Sequence, residues 1–174
     1  MKLSKGVRYA LRMMVDIAKE SDGTNRVALS QVARHTCMPR RYLEQLAIPL
    51  RRASLLAGTT GRRGGYVLAR PAQDISVGEI IESVVGRLSI TNCVLDPASC
   101  TLADGCECRG LYQRVNTEIA KLFDRITLAD LLREDWVQSA GTGRRRRRTP
   151  AASLRAGRGF PAERHAPSGK GSLC

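Results

Sequence analysis

Four cysteines in one short segment are the residues of this chain whose type and spacing could do chemistry. They are Cys93, Cys100, Cys106 and Cys108. Thiolates are soft ligands that bind zinc or iron–sulfur clusters. Because the segment lacks the C-x2-C or C-x4-C pairs of a zinc finger, its wide spacing favours a group larger than one ion. A structural zinc site, a bare thiol switch and cysteines without a role remain the alternatives.

A second set of candidate residues lies on the outer face of a predicted helix that follows Pro39. At about 100° per residue, Arg41 and Gln45 point away from the apolar side of this helix, and Glu44 flanks them. Arginine and glutamine can read guanine and adenine edges in the major groove, and glutamate can accept from cytosine. The alternative is a surface helix with solvated charges.

A glycine-rich hairpin over residues 54–70 accompanies this helix and carries Arg62 and Arg63 at its tip. Arginines of this kind enter narrow minor grooves of A·T-rich DNA. The apolar segments predict strands over Ser54–Ala57 and Tyr66–Ala69. A helix, a turn, a second helix and a hairpin in this order predict a DNA-binding unit rather than an ordinary surface hairpin.

The remaining elements are predicted from helical periodicity and capping patterns. Pro49 should kink the helix that follows Pro39 near Ala47. Residues 88–108 are predicted to be irregular. Near-heptad apolar spacing in the helix over 109–126 also suits pairing with a partner helix. The predicted helices cover 6–19, 29–35, the segment after Pro39, a capped helix from Ser76 to about Val85, 109–126 and a capped helix from Thr127 to about Trp136.

Charge and composition limit the class of protein. The net charge is +13, of which residues 139–174 contribute +8, from nine Lys or Arg and one Glu. A basic chain attracts polyanions such as nucleic acid. No apolar run is long enough for a membrane span, so we expect a cytoplasmic protein without a membrane partner. His35 and His165 are the only histidines, and no catalytic set is present, so we do not expect an enzyme.

The sequence resembles the bacterial winged-helix iron–sulfur regulators related to IscR and NsrR over roughly residues 1–136. The segments that carry the likeness are MKLSKGVRYALRMMVDIA, RRYLEQL, GRRGGYVLAR, ISVGEIIE, ITLADLL and the cysteines. The resemblance implies a homodimer with swapped long helices that binds an operator in double-stranded DNA. It also implies a [2Fe–2S] or [4Fe–4S] cluster near the dimerisation helix.

Site residues carried over from the resemblance fall in two places. The base-contact positions are Arg41, Tyr42, Glu44 and Gln45, beside Arg40. The wing arginine of the iron–sulfur assembly regulator aligns with Thr60, and Arg62 and Arg63, slightly further along the chain, are expected to take its place. The cluster cysteines are Cys93, Cys100 and Cys106. Arg109 and Arg8 occupy the two positions where relatives have the remaining ligand, so Cys108 is preferred over Glu107 as the fourth ligand.

The predicted fold is mainly α with a small β wing, as a winged helix-turn-helix joined to a long dimerisation helix. The predicted function is that of a sequence-specific, dimeric transcriptional regulator modulated by an iron–sulfur cluster; the alternative is a cluster-free regulator with a zinc site or a thiol switch. The predicted units are a DNA-binding domain over 1–87, a cysteine loop over 88–108, the dimerisation helix and a short helix over 109–137, and a disordered basic tail over 138–174.

Overall fold

The computed structural model describes residues 3–21, 25–59, 61 and 64–133. Within them the chain is mainly helical with one two-stranded antiparallel sheet, which confirms the predicted fold class. Short 3-10 turns span Ala72–Asp74, Pro97–Ser99 and Ala103–Gly105. The helices and strands are α1 Lys5–Glu20, α2 Leu29–Thr36, α3 Arg40–Arg52, β1 Leu56–Thr59, β2 Gly65–Leu68, α4 Val77–Val85, α5 Asn92–Leu95, α6 Arg109–Arg125 and α7 Leu128–Leu131.

Helix α1 forms the centre of the hydrophobic core. Ser4 caps its start by accepting a hydrogen bond from the Val7 N–H at 3.2 Å. Its apolar residues recur every three or four positions, so Ala10, Met14 and Ile17 are all buried on one face. This face packs against α2, α3 and α4, which fixes the helix-turn-helix to the rest of the domain.

The second helix of the motif continues through Pro49. Helix α3 starts after Pro39 and ends at Arg52, and the Ala53 N–H donates to the Pro49 carbonyl at 3.0 Å. Pro49 therefore does not end the helix, although it lacks an N–H for the preceding turn. The turn that joins α2 to α3 contains Cys37 in the left-handed region, with φ of 54°.

The predicted strand positions in the wing were wrong by one or two residues. Ser54 adopts a positive φ of 55°, which belongs to a turn, and Leu55 is buried behind it, so β1 begins only at Leu56. Leu56 pairs with Leu68 and Thr59 with Gly65. On its other edge β2 pairs with Val27, which extends the sheet by one bridge.

Helix α4 and helix α7 both begin with the capping boxes predicted from sequence, at Ser76–Glu79 and Thr127–Asp130. Each pair satisfies two backbone N–H groups at its helix start. A backbone bridge between Ser76 and Thr127 joins the two starts. The prediction that the last helix reaches Trp136 was wrong, since α7 ends at Leu131 and Trp136 lies outside the described residues.

The cysteine loop is less irregular than predicted. One helical turn, α5, and two 3-10 turns occupy much of residues 92–105. The basic tail, predicted to be disordered over 138–174, lies outside the described residues. No helix among the residues that the structure describes is both long and apolar enough to cross a membrane.

Candidate nucleic-acid interface and cysteine loop

The outer face of α3 presents the polar residues that the sequence assigned to DNA. Arg41, Glu44 and Gln45 are exposed, whereas Leu43 and Ala47 on the opposite face are fully buried in the core. Arg41 and Gln45 are four residues apart, which places them one above the other on the helix surface. The structure therefore brings these three side chains together on one accessible surface.

Arg40 lies on the same surface and pairs with Glu44. Its Nε lies 3.0 Å from Glu44 Oε1, and both side chains are at least half exposed. Ion pairs in such exposed positions contribute little to stability, because water screens them. Both side chains are thus free to exchange this contact for another partner.

Tyr42 differs from its neighbours because its ring packs partly against α1. The ring is half-buried and meets Tyr9 edge-on, with 5.6 Å between the ring centroids. A Cβ built on Gly6 would lie 3.3 Å from the Tyr42 hydroxyl, so α1 passes close beside it. Tyr42 therefore helps to set the position of α3 as well as bordering its outer surface.

Strand β2 of the wing is paired on both edges, with β1 on one side and with Val27 on the other. Val27 and Tyr66 exchange two backbone hydrogen bonds of 2.9 Å each. At the tip, the Gly64 N–H donates to the Gly61 carbonyl at 2.9 Å. Arg62 and Arg63, predicted to contact the minor groove, lie outside the described residues, as does Thr60.

An ion pair that the sequence analysis missed ties the end of the wing to α4. Arg70 Nη2 lies 2.7 Å from Glu79 Oε1, while Glu79 Oε2 accepts from the Ser76 N–H at 2.9 Å. Burial raises the pKa of Glu79, but the hydrogen bonds from Ser76 and Arg70 outweigh it and hold the pKa below its ordinary value. Glu79 thus both caps α4 and anchors the wing.

A second pair missed by the sequence analysis joins α1 to α2. His35 Nδ1 lies 3.4 Å from Asp16 Oδ1, and Asp16 Oδ2 is buried without a hydrogen-bond partner among the described residues. Burial raises the pKa of Asp16, and the favourable interaction with His35 offsets this only in part. The folded state therefore disfavours the charged form of this carboxyl.

All four predicted cysteine ligands are reduced in the structure and lie in the loop before α6. Cys93 belongs to α5, Cys100 and Cys106 follow the two 3-10 turns, and Cys108 precedes the first residue of α6. Cys108 is exposed and the other three are half-buried. Cys93 Sγ lies 3.3 Å from the Thr91 hydroxyl, within hydrogen-bond distance.

The donor chemistry of this loop fits a thiophilic metal or an iron–sulfur cluster, because four unpaired thiols are available. Arg109, which follows Cys108 in sequence, has a buried Nε without a hydrogen-bond partner in the described part of the chain, and such a donor suits a negatively charged acceptor. Across the described ranges, however, no three His, Cys, Asp or Glu side chains are positioned together to hold a metal ion. The single chain thus supplies the ligands without assembling them.

Comparison with known proteins identifies the family. The family model described as "Iron-dependent Transcriptional regulator", Rrf2, matches residues 3–134. The chain belongs to the Rrf2 family. IscR of Photobacterium profundum is 35% identical over 156 residues, which cover 89% of this chain and 88% of that protein.

Two solved structures with the names of known regulators are similar to this chain. CymR, described as the global cysteine regulator of B. subtilis, is 32% identical with a TM-score of 0.62, covering 76% of this chain and 96% of that one. IscR of T. potens is 33% identical with a TM-score of 0.59, covering 76% and 86%. The predicted class, a DNA-binding transcriptional regulator rather than an enzyme, is confirmed.

In this Rrf2-family chain, α6 carries an apolar stripe that its own domain leaves uncovered. Leu111 and Leu122 are 60% and 54% exposed, and Val115 lies exposed between them. Phe123 and Ile126 instead pack on Val77 and Ile81 of α4 and on Val7 of α1. The helix therefore has one side packed on its own domain and another, apolar, side open to solvent.

Proposed function

We propose that this Rrf2-family regulator reads its operator with the outer face of α3, supported by the wing. The observation that carries the proposal is the exposure of Arg41 and Gln45 together on a helix whose other face is buried. Arginine pairs with guanine O6 and N7, and glutamine with adenine N6 and N7. Arg40, Glu44 and Tyr42 border this surface, and Arg62 and Arg63 are assigned to the minor groove.

The active form is proposed to be a homodimer built on α6. The stripe formed by Leu111, Val115 and Leu122 supports this assignment, since such a surface is stabilised by burial against another apolar face. Two copies of α3 would then address two half-sites separated by about one turn of DNA, roughly 34 Å. A change in the angle between the copies would change operator affinity.

We assign the cysteine loop the role of sensor. Cys93, Cys100, Cys106 and Cys108 would hold a [2Fe–2S] or [4Fe–4S] cluster, with Cys108 in place of the ligand that Arg109 cannot supply. A bound cluster supplies a centre that responds to oxidation, nitric oxide or iron–sulfur supply. The chain itself contributes thiolates, the buried Arg109 donor, and a direct connection from the last cysteine into α6.

A cluster-free regulator is the second candidate. The observation that favours it is the absence of an assembled metal site in the described ranges, together with four free thiols. In that case disulfide formation within the loop, or zinc, would replace the cluster as the signal. Zinc and thiols give no visible absorption of the iron–sulfur type, which makes the two candidates separable.

The DNA-reading proposal is tested by measuring affinity for an operator selected from random DNA. Arg41→Ala combined with Gln45→Ala should weaken operator binding by at least about 30-fold, since each lost base contact costs about 1–3 kcal/mol. Arg87→Ala is the matched control, because it removes an exposed arginine that lies outside both α3 and α6. Parent-like affinity and selectivity in the double variant would contradict the proposal.

The sensor proposal is tested on protein purified and reconstituted without oxygen. Stoichiometric iron and sulfide with visible absorption, lost in the Cys93→Ser and Cys106→Ser variants, support a cluster. Bound zinc without iron supports the zinc alternative, and a metal-free protein supports the thiol switch. The last two results would contradict the cluster assignment.

A further inference from the structure

Asn116 is the only polar residue that is buried as a whole among the residues that the structure describes. It is 8% exposed, and it is also the one buried residue of α6. Buried polar groups are costly unless they are hydrogen-bonded, so a side chain in this position needs partners. Its partners lie far away in sequence, at the start of the cysteine loop.

The carboxamide of Asn116 makes two hydrogen bonds of opposite polarity to the loop backbone. Its Oδ1 accepts from the Ile90 N–H at 3.0 Å, and its Nδ2 donates to the Leu88 carbonyl at 3.1 Å. A leucine of similar size could make neither bond. The two bonds flank Ser89 and fix the chain where it leaves α4 and enters the loop.

Hydrogen bonds continue from this point to the first cysteine. The Ser89 hydroxyl donates to the Thr91 carbonyl, and the Thr91 hydroxyl lies 3.3 Å from Cys93 Sγ. Thr91 is also the residue at the start of α5, which contains Cys93 and packs on α6. Asn116 is thus connected to Cys93 by consecutive bonded residues.

The surroundings leave space for this segment to move. A half-open cavity of about 210 Å³ lies between α4, α5 and α6, and Leu88, Leu95, Asn116 and Phe123 are among its lining residues. Without the two Asn116 bonds, the loop stem could repack into this cavity. The bonds therefore oppose movement of the loop stem, and of α5 after it, into this cavity.

We propose that Asn116 is a positioning residue that holds Cys93 in a fixed place relative to α6, and so couples the cysteine loop to that helix. The positioning stands on the contacts alone, whereas its regulatory meaning rests on the proposed function. Any change of the loop at Cys93 then either breaks the Asn116 bonds or displaces α6.

The test measures the rate at which N-ethylmaleimide modifies each cysteine of the full-length, reduced, metal-free chain, followed by mass spectrometry. Exposed Cys108 serves as the internal reference. Asn116→Leu should accelerate modification of Cys93 relative to Cys108 by roughly tenfold, the effect of losing ordinary hydrogen bonds. Asn116→Gln keeps the carboxamide and should restore part of the protection. Thr117→Ala, at an exposed position next to Asn116, is the matched control and should leave the ratio unchanged.

An unchanged Cys93 to Cys108 ratio in Asn116→Leu would overturn the proposal. Equal acceleration of Cys93, Cys100 and Cys106, without rescue by Asn116→Gln, would also overturn it, because Asn116 would then stabilise the domain only in general. Failure of the proposed function can be distinguished from failure of this proposal. If the protein bound no iron and sulfide, or no operator, the Cys93 result would still stand, and only its regulatory meaning would be lost.

Discussion

Replacing Gly65 with alanine should separate the wing from the segment that supports it. A Cβ at this position would lie 2.8 Å from the Val27 carbonyl oxygen and 2.9 Å from its carbon. Both are backbone atoms, so no side chain can rotate away to relieve the overlap. Gly65 also begins β2, next to Tyr66, whose two hydrogen bonds to Val27 depend on the same close approach.

The expected loss follows from these contacts. Overpacking of a tight site costs about 1–3 kcal/mol. Weakening two backbone hydrogen bonds adds about 1 kcal/mol or less for each. We therefore expect Gly65→Ala to lower the free energy of unfolding by about 2–4 kcal/mol, against a typical total of about 5–15 kcal/mol. The variant should fold, but with a displaced wing and weaker operator binding.

The assay is urea unfolding followed by circular dichroism, together with operator titration. Gly105→Ala is the matched control, because nothing lies within 4 Å of a Cβ at that position. Its free energy of unfolding should stay within about 0.5 kcal/mol of the parent's value. If Gly65→Ala unfolds at the parent's midpoint with the same slope, the supporting role of Val27 at the edge of β2 is refuted.

Two further substitutions test the helix contacts. Asp16→Asn should raise the free energy of unfolding at pH 7, because the raised pKa of Asp16 means that the fold favours its protonated form. In the parent, protonation of Asp16 stabilises the folded state. This stabilisation is complete below the pKa that Asp16 has in the unfolded chain, and it is lost as pH rises through the folded pKa. The advantage of the variant over the parent should therefore shrink in acid. Leu122→Lys should weaken self-association by at least about tenfold, because it places a charge in the exposed apolar stripe of α6.

The Asp16 prediction is checked by unfolding at several pH values, and a constant difference between variant and parent would contradict it. The Leu122 prediction is checked by analytical ultracentrifugation. Thr117→Lys adds the same charge at an exposed position on a different side of α6 and should leave association unchanged. Equal association of the Leu122 and Thr117 variants would exclude the stripe as the dimer interface.

The helices were predicted well because apolar spacing and capping residues, which define a helix, lie close together in sequence. The apolar spacing of α1 and α3 set their buried faces, and Ser76–Glu79 set the start of α4. The strand positions in the wing were predicted wrongly because Ser54 takes a left-handed conformation, which cannot be predicted from a serine in the sequence. The pairing of Val27 with β2 could not be predicted, because a single bridging residue has no periodic sequence pattern.

The contacts that tie the site together join residues distant in sequence. Asn116 reaches back 26 residues to Ile90, and Arg70 reaches forward nine residues to Glu79. A polar residue on a predicted helix is usually exposed, so Asn116 offered no signal of its burial. The exposed face of α3 was predictable because its opposite face is consistently apolar.

We propose that the state of the cysteine loop sets the affinity of α3 for operator DNA. This proposal is tested most directly by the operator affinity of one anaerobic preparation, measured after iron and sulfide reconstitution and again after the metal is removed by a chelator. We predict that the dissociation constants differ by at least about fivefold, the lower range of coupling between two sites, and that a variant with serine at Cys93 and Cys106 shows no difference. Equal dissociation constants for the loaded and stripped parent would contradict the claim.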